Sequence, residues 1–465
     1  MTCHDEAALL FILDELAYYI AKISSDDLSS RTIEQVKLHI FDSMGALFAG
    51  ACSEEAGAIC DLVRKLGLAS ETSKVPVIGF DFSAPLPHAV LVSCATTRMT
   101  ETDDIDLMSC TTPGSVVVPS ALLLSYQVRA SFEDLLEGII AGYEVMTRLG
   151  AAGKGTEIIY RGIWPTYLWA SVSAATVGSK MLDLNEEQIK NALAISLTLS
   201  TGISGRTNLG LTSRWLTLGC AVQNGLIAAL SAEKGFLGDR SILDTIYPSA
   251  YDLKLDTDVL LKDIGEQFKI EKVGLKPYCC ARQTLASIEA YRFLLDNNQF
   301  DPEKIENIEV LVPRQYVKMI DHGSLPEGRL SSIVSIQYQL ALASFYEEDL
   351  FDVQRKVIRD EEKIIAFMQK IHVKPSPRFT EMYPLRWPGK VIVKASGQEY
   401  EHEVLAPKGD PDQPLTWEDV ARKIERLTCR FFEPAEMEAL GAAIKALDGT
   451  TNLEAFFNAL PKRCM

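Results

Sequence analysis

Between positions 8 and 270 the apolar residues recur almost throughout at helix spacing, and that periodicity limits the folds open to this chain. Leu9, Leu10, Ile12, Leu13, Leu16, Ile20 and Ile23 form one stripe, and Val36, Ile40, Met44 and Leu47 another, the three-and-four spacing of amphipathic helices. Asn185-Glu186-Glu187-Gln188 supplies an N-cap residue with Gln three places on, the pattern that opens a helix. Residues 189–202 behind it are rich in Ala, Leu and Ser, as a buried helix would be. Alternating strand patterns are scarce in this stretch. After 270 the period changes. Ile305–Pro313 ends in strand-forming residues, and Val391–Val404 holds two β-rich runs around Ser396-Gly397, a hairpin signal. Helical stretches near 284–296 and 331–346 lie between them. Thr416-x-x-Asp419 then opens another helix. The expected fold is therefore mainly α, with an α+β insert of roughly 130 residues, the size of an ordinary domain.

At 465 residues the chain exceeds what one small core organises, and two domains are expected. Its formal charge of −17 disfavours a nucleic-acid partner, because a phosphate backbone calls for clustered Lys and Arg. It also disfavours an anionic membrane surface. An acidic substrate stays open, since a pocket can be positive inside an acidic protein. No stretch approaches the roughly 18 apolar residues of a membrane span. Asp5, Glu6, Asp14 and Glu15 around the first apolar run read against a secretory leader. Ten cysteines without a Cys-x-x-Cys zinc pattern read as mostly buried thiols in a reducing, cytoplasmic compartment.

Five fragments carry chemistry-bearing residues in close spacing. Asp103-Asp104 precedes Thr112-Pro113-Gly114-Ser115. Ala141-Gly142-Tyr143-Glu144-Val145 is followed by Arg148. Gly162-Ile163-Trp164-Pro165-Thr166, Arg214-Trp215-Leu216-Thr217-Leu218-Gly219 and Lys276-Pro277-Tyr278-Cys279-Cys280-Ala281-Arg282 come next. In this order they resemble the MmgE/PrpD superfamily, which includes 2-methylcitrate dehydratase and cis-aconitate decarboxylase. The resemblance spans roughly residues 8 to 430. It implies an all-helical domain over 1–268, an α+β lid domain over 269–405, C-terminal helices over 406–465 that rejoin the helical domain, and a homodimer. It also implies a small-molecule substrate handled without metal or cofactor. Lys276, Arg214, Asp103 and Thr112 would be the catalytic set. Trp164, Thr217, Tyr278, Arg282, Leu285 and Tyr316 would contact substrate, Tyr316 through a looser match to a tyrosine of the lid.

This chain departs from the family where the family usually has histidine. Thr112, Trp164, Thr217 and Leu285 occupy those positions, and Arg214 replaces a lysine. None of the six histidines (4, 39, 88, 322, 372 and 402) falls on a motif position. Dehydration or decarboxylation of a polycarboxylate moves protons, work for which an imidazole is best suited near neutral pH. Trp164 and Leu285 would instead add apolar wall, and a pocket with fewer charges and more apolar surface suits a larger, less ionic substrate. Arg214, Lys276 and the threonine hydroxyls could polarise a carbonyl, and holding a flexible substrate in its reactive shape would supply further acceleration.

Three functional readings follow. The first is a repurposed enzyme that cyclises or isomerises an apolar, unsaturated, carbonyl-bearing biosynthetic intermediate, terpenoid or polyketide-like, by a pericyclic route such as a Diels–Alder reaction. The second is a lyase on a small polycarboxylate such as 2-methylcitrate or cis-aconitate, with Asp103, Lys276 or Tyr278 moving the proton. The third is an inactive paralogue that serves as a binding subunit.

Other features have plainer explanations. Asp103-Asp104-Ile105-Asp106 is expected to pair with Arg98 or Arg148 rather than a metal, which needs several convergent oxygens. Cys279-Cys280 has no nearby His to make a thiolate and is expected to be structural. Gly150 to Gly155 lacks the ending of a phosphate loop. Glu347-Glu348-Asp349 is expected to be a solvated helix end.

Overall fold

The computed structural model describes residues 11–68, 75–203, 211–298, 300–355 and 358–461. The helical stripes fold as the period requires. The first gives α1 (Ile12–Lys22) and the second α2 (Ser30–Ala51), with Ile20, Val36, Ile40 and Met44 fully buried. Behind them come α3 (Leu86–Met99), α4 (Gly114–Val128), α5 (Phe132–Ala152), α6 (Pro165–Met181), α7 (Glu186–Thr198) and α8 (Ser213–Glu233), with shorter helices and turns between. Asn185 caps α7 through a reciprocal capping box with Gln188, so that prediction stands.

Helix α6 is the hub of this body. Nearly every residue from Pro165 to Ser179 is buried, because α5, α8 and α4 pack around it. The α6–α8 contact is a backbone approach. A Cβ at Gly225 would come within 2.0 Å of the Ser171 carbonyl oxygen, so only glycine fits there. Helix α8 is long and apolar enough to cross a membrane by length and composition, and just over half of that stretch is buried inside the protein. Gly150 to Gly155 closes α5 and packs against the loop at Ser109.

Strand structure before 270 is confined, among the described residues, to the two-residue pair Val75–Pro76 and Ser83–Ala84. Past 270 the chain builds α9 (Arg282–Asn298), β1 (Ile305–Val312), α10 (Arg329–Val334), α11 (Ile336–Phe345), β2 (Ile371–Pro375), β3 (Gly389–Ala395) and β4 (Gln398–Val404). The sheet order is β2-β1-β3-β4, with β1 parallel to β2 and the other pairs antiparallel. Ser396 and Gly397 both take positive φ, 51° and 75°, the backbone a two-residue hairpin requires. Helix α9 covers one sheet face. Leu285, Ile288 and Leu294 pack there with Ile308, Val310, Val391 and Val393 in a core separate from that of the helical body.

The last helices, α12 (Trp417–Thr428), α13 (Pro434–Lys445) and α14 (Leu453–Asn458), pack on the helical body. The Trp417 ring stacks on Phe41 at 4.9 Å. Lys423 Nζ donates to Asp42 Oδ1 at 2.6 Å, with both side chains buried. Glu347-Glu348-Asp349 is not a free helix end. Its carboxylates pair with Arg292, Arg426 and Arg359, because the α+β part and α12 meet at this turn. Of the described cysteines, Cys52, Cys60, Cys94, Cys110, Cys279 and Cys280 are buried. Burial pushes the Cys279 thiol up to about 11 and the Cys110 thiol up to about 12, which keeps both protonated.

Candidate active site

The motif fragments share a structural property that their sequences do not announce: most of them begin a helix. Thr112-Pro113 leads into α4, Trp164 is the N-cap of α6 with Pro165 in the first turn, Arg214 is the second residue of α8, and Arg282 is the first of α9. These four starts converge on one cavity of about 50 Å³ between the helical body and the α+β part. Each helix has at least 15 residues and so carries partial positive charge at its N-terminus, that of α4 being met by the buried Asp104.

Side-chain charge adds to this field. Arg98, Glu101, Arg214, Lys276 and Arg282 line the cavity. Arg98 Nη1 lies 2.7 Å from both Glu101 Oε2 and Asp103 Oδ1. Lys276 Nζ donates to the Glu101 carbonyl oxygen at 2.6 Å and lies 3.4 Å from Asp103 Oδ1. Burial alone would raise the Glu101 carboxyl, but Arg98, Arg214, Lys276 and Arg329 bring it down to about 2. Arg214 donates from Nε to the Tyr167 hydroxyl at 2.9 Å and stacks on the Trp164 ring at 4.4 Å. Its Nη2 has no protein hydrogen-bond partner, and neither does Nη1 of Arg282. Arg282 is held by Asp410 through Nε at 3.0 Å and Nη2 at 2.6 Å, and lies over the Trp387 ring. Much of the remaining lining is apolar, including Ala281, Met319, Leu330, Ile333, Val334 and Trp387. Trp387 forms a small apolar cluster with Cys110 and Ile159, and Trp164 packs against it. Glu101 and Cys110, both in the lining, hold left-handed backbone at φ 55° and 54°, strain of the kind concentrated at functional sites.

The paired aspartates act as a frame. Asp104 accepts the Gly114 backbone N–H at 2.8 Å, which caps α4, and takes the Tyr143 hydroxyl at 2.6 Å on its other oxygen. A Cβ at Gly114 would stand 2.9 Å from that second oxygen, which accounts for the glycine. Asp106 instead accepts the Ser109 N–H. The three carboxylates therefore point at different partners. Arg98 is the expected partner of Asp103, whereas Arg148 pairs with Glu144 at 2.7 Å.

The structure brings Lys276, Arg214, Thr112, Trp164 and Arg282 together around the cavity, with Asp103 immediately behind Lys276. Thr112 meets Thr166 through its N–H and hydroxyl, at 3.2 and 3.3 Å. Four expected contacts lie elsewhere. Thr217 returns its hydroxyl to the Ser213 carbonyl of its own helix. Leu285 is one turn into α9 and faces the sheet-side core. Tyr278 lines a different cavity behind the Lys276 loop. Tyr316 is fully buried, donates to the Pro388 carbonyl and buttresses Trp387. The small cavity volume does not match the larger substrate expected from the sequence. The cavity holds a few water-sized volumes, and five of its eighteen lining residues are charged.

No histidine lines it among the described residues. One does stand close behind. His39, on α2, places Nδ1 3.1 Å from Asp104 Oδ2 and 3.2 Å from the Tyr143 hydroxyl, fully enclosed. Sequence reading missed His39, Trp387 and Asp410, which belong to no motif fragment. Burial, with Asp104 beside it, holds the Tyr143 phenol well above its usual range, so it stays a donor.

Comparisons with known proteins agree with this architecture. The MmgE/PrpD N-terminal domain matches residues 14–251 and the MmgE/PrpD C-terminal domain residues 278–448. The cis-aconitate decarboxylase-like protein oryM of Aspergillus oryzae is 21% identical, covering 97% of this chain and 98% of its own. A cis-aconitate decarboxylase of Aspergillus terreus is also 21% identical, over 98% and 97%. The mouse cis-aconitate decarboxylase is 23% identical, over 94% and 91%.

Proposed function

The chain belongs to the MmgE/PrpD family, and from that premise we propose an enzyme that cyclises or isomerises an unsaturated substrate held by its carboxylate. The observation that carries this reading is that Arg214, Lys276 and Arg282 share one cavity, beside helix starts, with the apolar side chains of Met319, Leu330, Ile333 and Val334, and that no imidazole lines it among the described residues. Cations and helix starts together favour an anion. Held there, a conjugated carboxylate would be polarised through charge-assisted hydrogen bonds. The alkene-bearing remainder would lie against Met319, Leu330, Ile333, Val334 and the two tryptophans, which fix its fold. A pericyclic ring closure in that setting moves electrons within the substrate and needs no proton donor. A substrate of terpenoid or polyketide size would have to push the apolar side chains aside, because the cavity as it stands is small.

A second reading, decarboxylation, is favoured by one contact and by the relatives' names. Lys276 Nζ lies 3.4 Å from Asp103, so its ammonium could give a proton to the carbon that CO₂ leaves. The retained carboxylates would then sit on the ionic wall and the departing one against the apolar wall, where loss of hydration favours its departure. The family's usual proton carriers are absent here, and strong cations oppose loss of a carboxylate they hold. For these reasons cyclisation or isomerisation comes first.

Deleting the gene in its source organism and comparing metabolites separates the readings by mass. Under cyclisation or isomerisation, the compound that accumulates is an isomer of the missing product and is converted by the purified protein. A mass difference of CO₂ or water, or turnover of cis-aconitate or 2-methylcitrate, overturns that reading in favour of a lyase. No difference between the strains favours the binding-subunit reading instead.

A further inference from the structure

A second cavity, of about 320 Å³, lies behind the Lys276 loop where the α+β part meets α12. Tyr278 opens into it, and so do five cations: Arg292 on α9, Lys408, and Arg422, Lys423 and Arg426 on α12. Asp419 is the one carboxylate in its lining. In a chain of net charge −17, this is a local reversal of sign. Phe351, Pro277 and Leu415 give the cavity an apolar side, and the Arg426 guanidinium stacks on the Phe351 ring at 3.6 Å.

The cations are held mainly by exchangeable partners. Lys408 and Arg422 share Asp419 at 2.8 and 2.6 Å. Arg292 and Arg426 share Glu347 at 2.7 and 3.2 Å, and Arg426 also reaches Glu348 at 2.9 Å. Arg422 and Glu348 are more than two-thirds exposed. Arg426–Glu348 is the most open of these pairs, of a kind worth about 0–1 kcal/mol, so an anion of higher charge can replace it at little cost. Asp419, by contrast, is mostly enclosed and also accepts the Thr416 N–H. Lys423 differs: it is buried, paired with Asp42, and its Nζ donates to the Thr102 carbonyl at 2.7 Å, next to Asp103. Burial also keeps the Tyr278 phenol protonated, available as a donor.

We infer that this cavity binds a small multivalent anion, phosphate-bearing or tricarboxylate, through Arg292, Lys408, Arg422 and Arg426, with Phe351 and Tyr278 against any flat part of the ligand. The site is distinct from the cleft, although Pro277 and Lys423 place it one residue from both Lys276 and Asp103.

Calorimetric titration of the full chain with inorganic pyrophosphate, and separately with citrate, tests this. At least one probe binds the wild type and Arg214→Ala alike, and binds the Arg422→Ala/Arg426→Ala double variant at least about tenfold more weakly, a loss of about 1.4 kcal/mol. Arg422→Ala alone, at an exposed position, also weakens binding without lowering the ligand-free Tm, which separates lost recognition from lost folding. Tighter pyrophosphate points to a phosphate-bearing ligand, and tighter citrate to a tricarboxylate. Absence of heat with both probes at millimolar concentration, equal affinity in the double variant, or loss of binding in Arg214→Ala would each overturn the assignment.

Discussion

Across the cleft, Arg98, Glu101, Arg214 and Lys276 on the helical side face Met319, Leu330, Ile333 and Val334 on the α+β side, and the two sets are anchored differently. Each charged side chain is held by at least one further polar group: Arg98 by two carboxylates, Lys276 by a carbonyl and Asp103, Arg214 by Tyr167 and the Trp164 face. Buried ions without such partners would not survive their desolvation cost. The apolar wall is tied through its backbone, the Ile333 carbonyl accepting the Ala281 N–H at 3.1 Å, but its side chains are positioned by burial, a force without direction. Orientation therefore belongs to one wall and shape to the other, and the wall that sets shape is the one free to change.

Substitutions can break that contrast, beginning with the largest effect. Arg98→Met leaves Glu101 and Asp103 without their shortest ion pairs, and should cost about 3–5 kcal/mol, the usual consequence of removing one partner from a buried pair. Urea denaturation reads this directly. Arg214→Met and Lys276→Met should each weaken binding of an unsaturated carboxylate by about 1.5–3 kcal/mol, roughly tenfold to more than a hundredfold, the range for hydrogen bonds to charged groups. A titration with no change in either variant would remove the ionic wall from substrate recognition.

Acidity probes the same wall. Glu101 falls from an ordinary 4.5 to about 2 in the folded chain. A depressed folded value gives stability that is fully present above the unfolded value and lost as pH falls through the folded one. The stability advantage of wild type over Glu101→Gln should therefore shrink as pH falls from about 4.5 to about 2. Comparison with the variant is needed because burial raises Asp42 and Asp410, which contribute in the opposite sense. A gap constant through that range would contradict the electrostatic account.

On the apolar wall, Ile333→Val should cost about 0.5–1.5 kcal/mol of stability and alter which carbon skeletons bind, while leaving the preference for a carboxylate intact. Thr217→Ala should be the smallest, within about 0.5 kcal/mol and silent in ligand titration, because its hydroxyl serves only its own helix.

These differences also explain what could be read from the chain beforehand. The helices, the hairpin at Ser396-Gly397 and the capping boxes at Asn185 and Thr416 follow from local periodicity and turn chemistry. Arg214, Lys276 and Arg282 were legible because they sit in short motif fragments, two of them at helix starts, whereas Arg98 and Glu101 were not read as lining. Thr217 and Leu285 misled because both lie three residues past a lining arginine. At that spacing along α8 and α9, one side chain serves its own helix and the other turns to the sheet-side core. Trp387, Asp410 and His39 could not be found from motifs. They reach the site from a strand edge, a loop and a distant helix, and only tertiary packing brings them there.

The central claim is that the converging helix starts and their cations select a carboxylate. Equilibrium titration with a short conjugated dienoic acid and with its neutral primary amide tests it most directly. The acid should bind at least about tenfold tighter, a difference of about 1.4 kcal/mol. That preference should vanish in Arg214→Met/Lys276→Met and persist in Arg422→Ala. Equal affinity for the two compounds, or tighter binding of the amide, would contradict the claim.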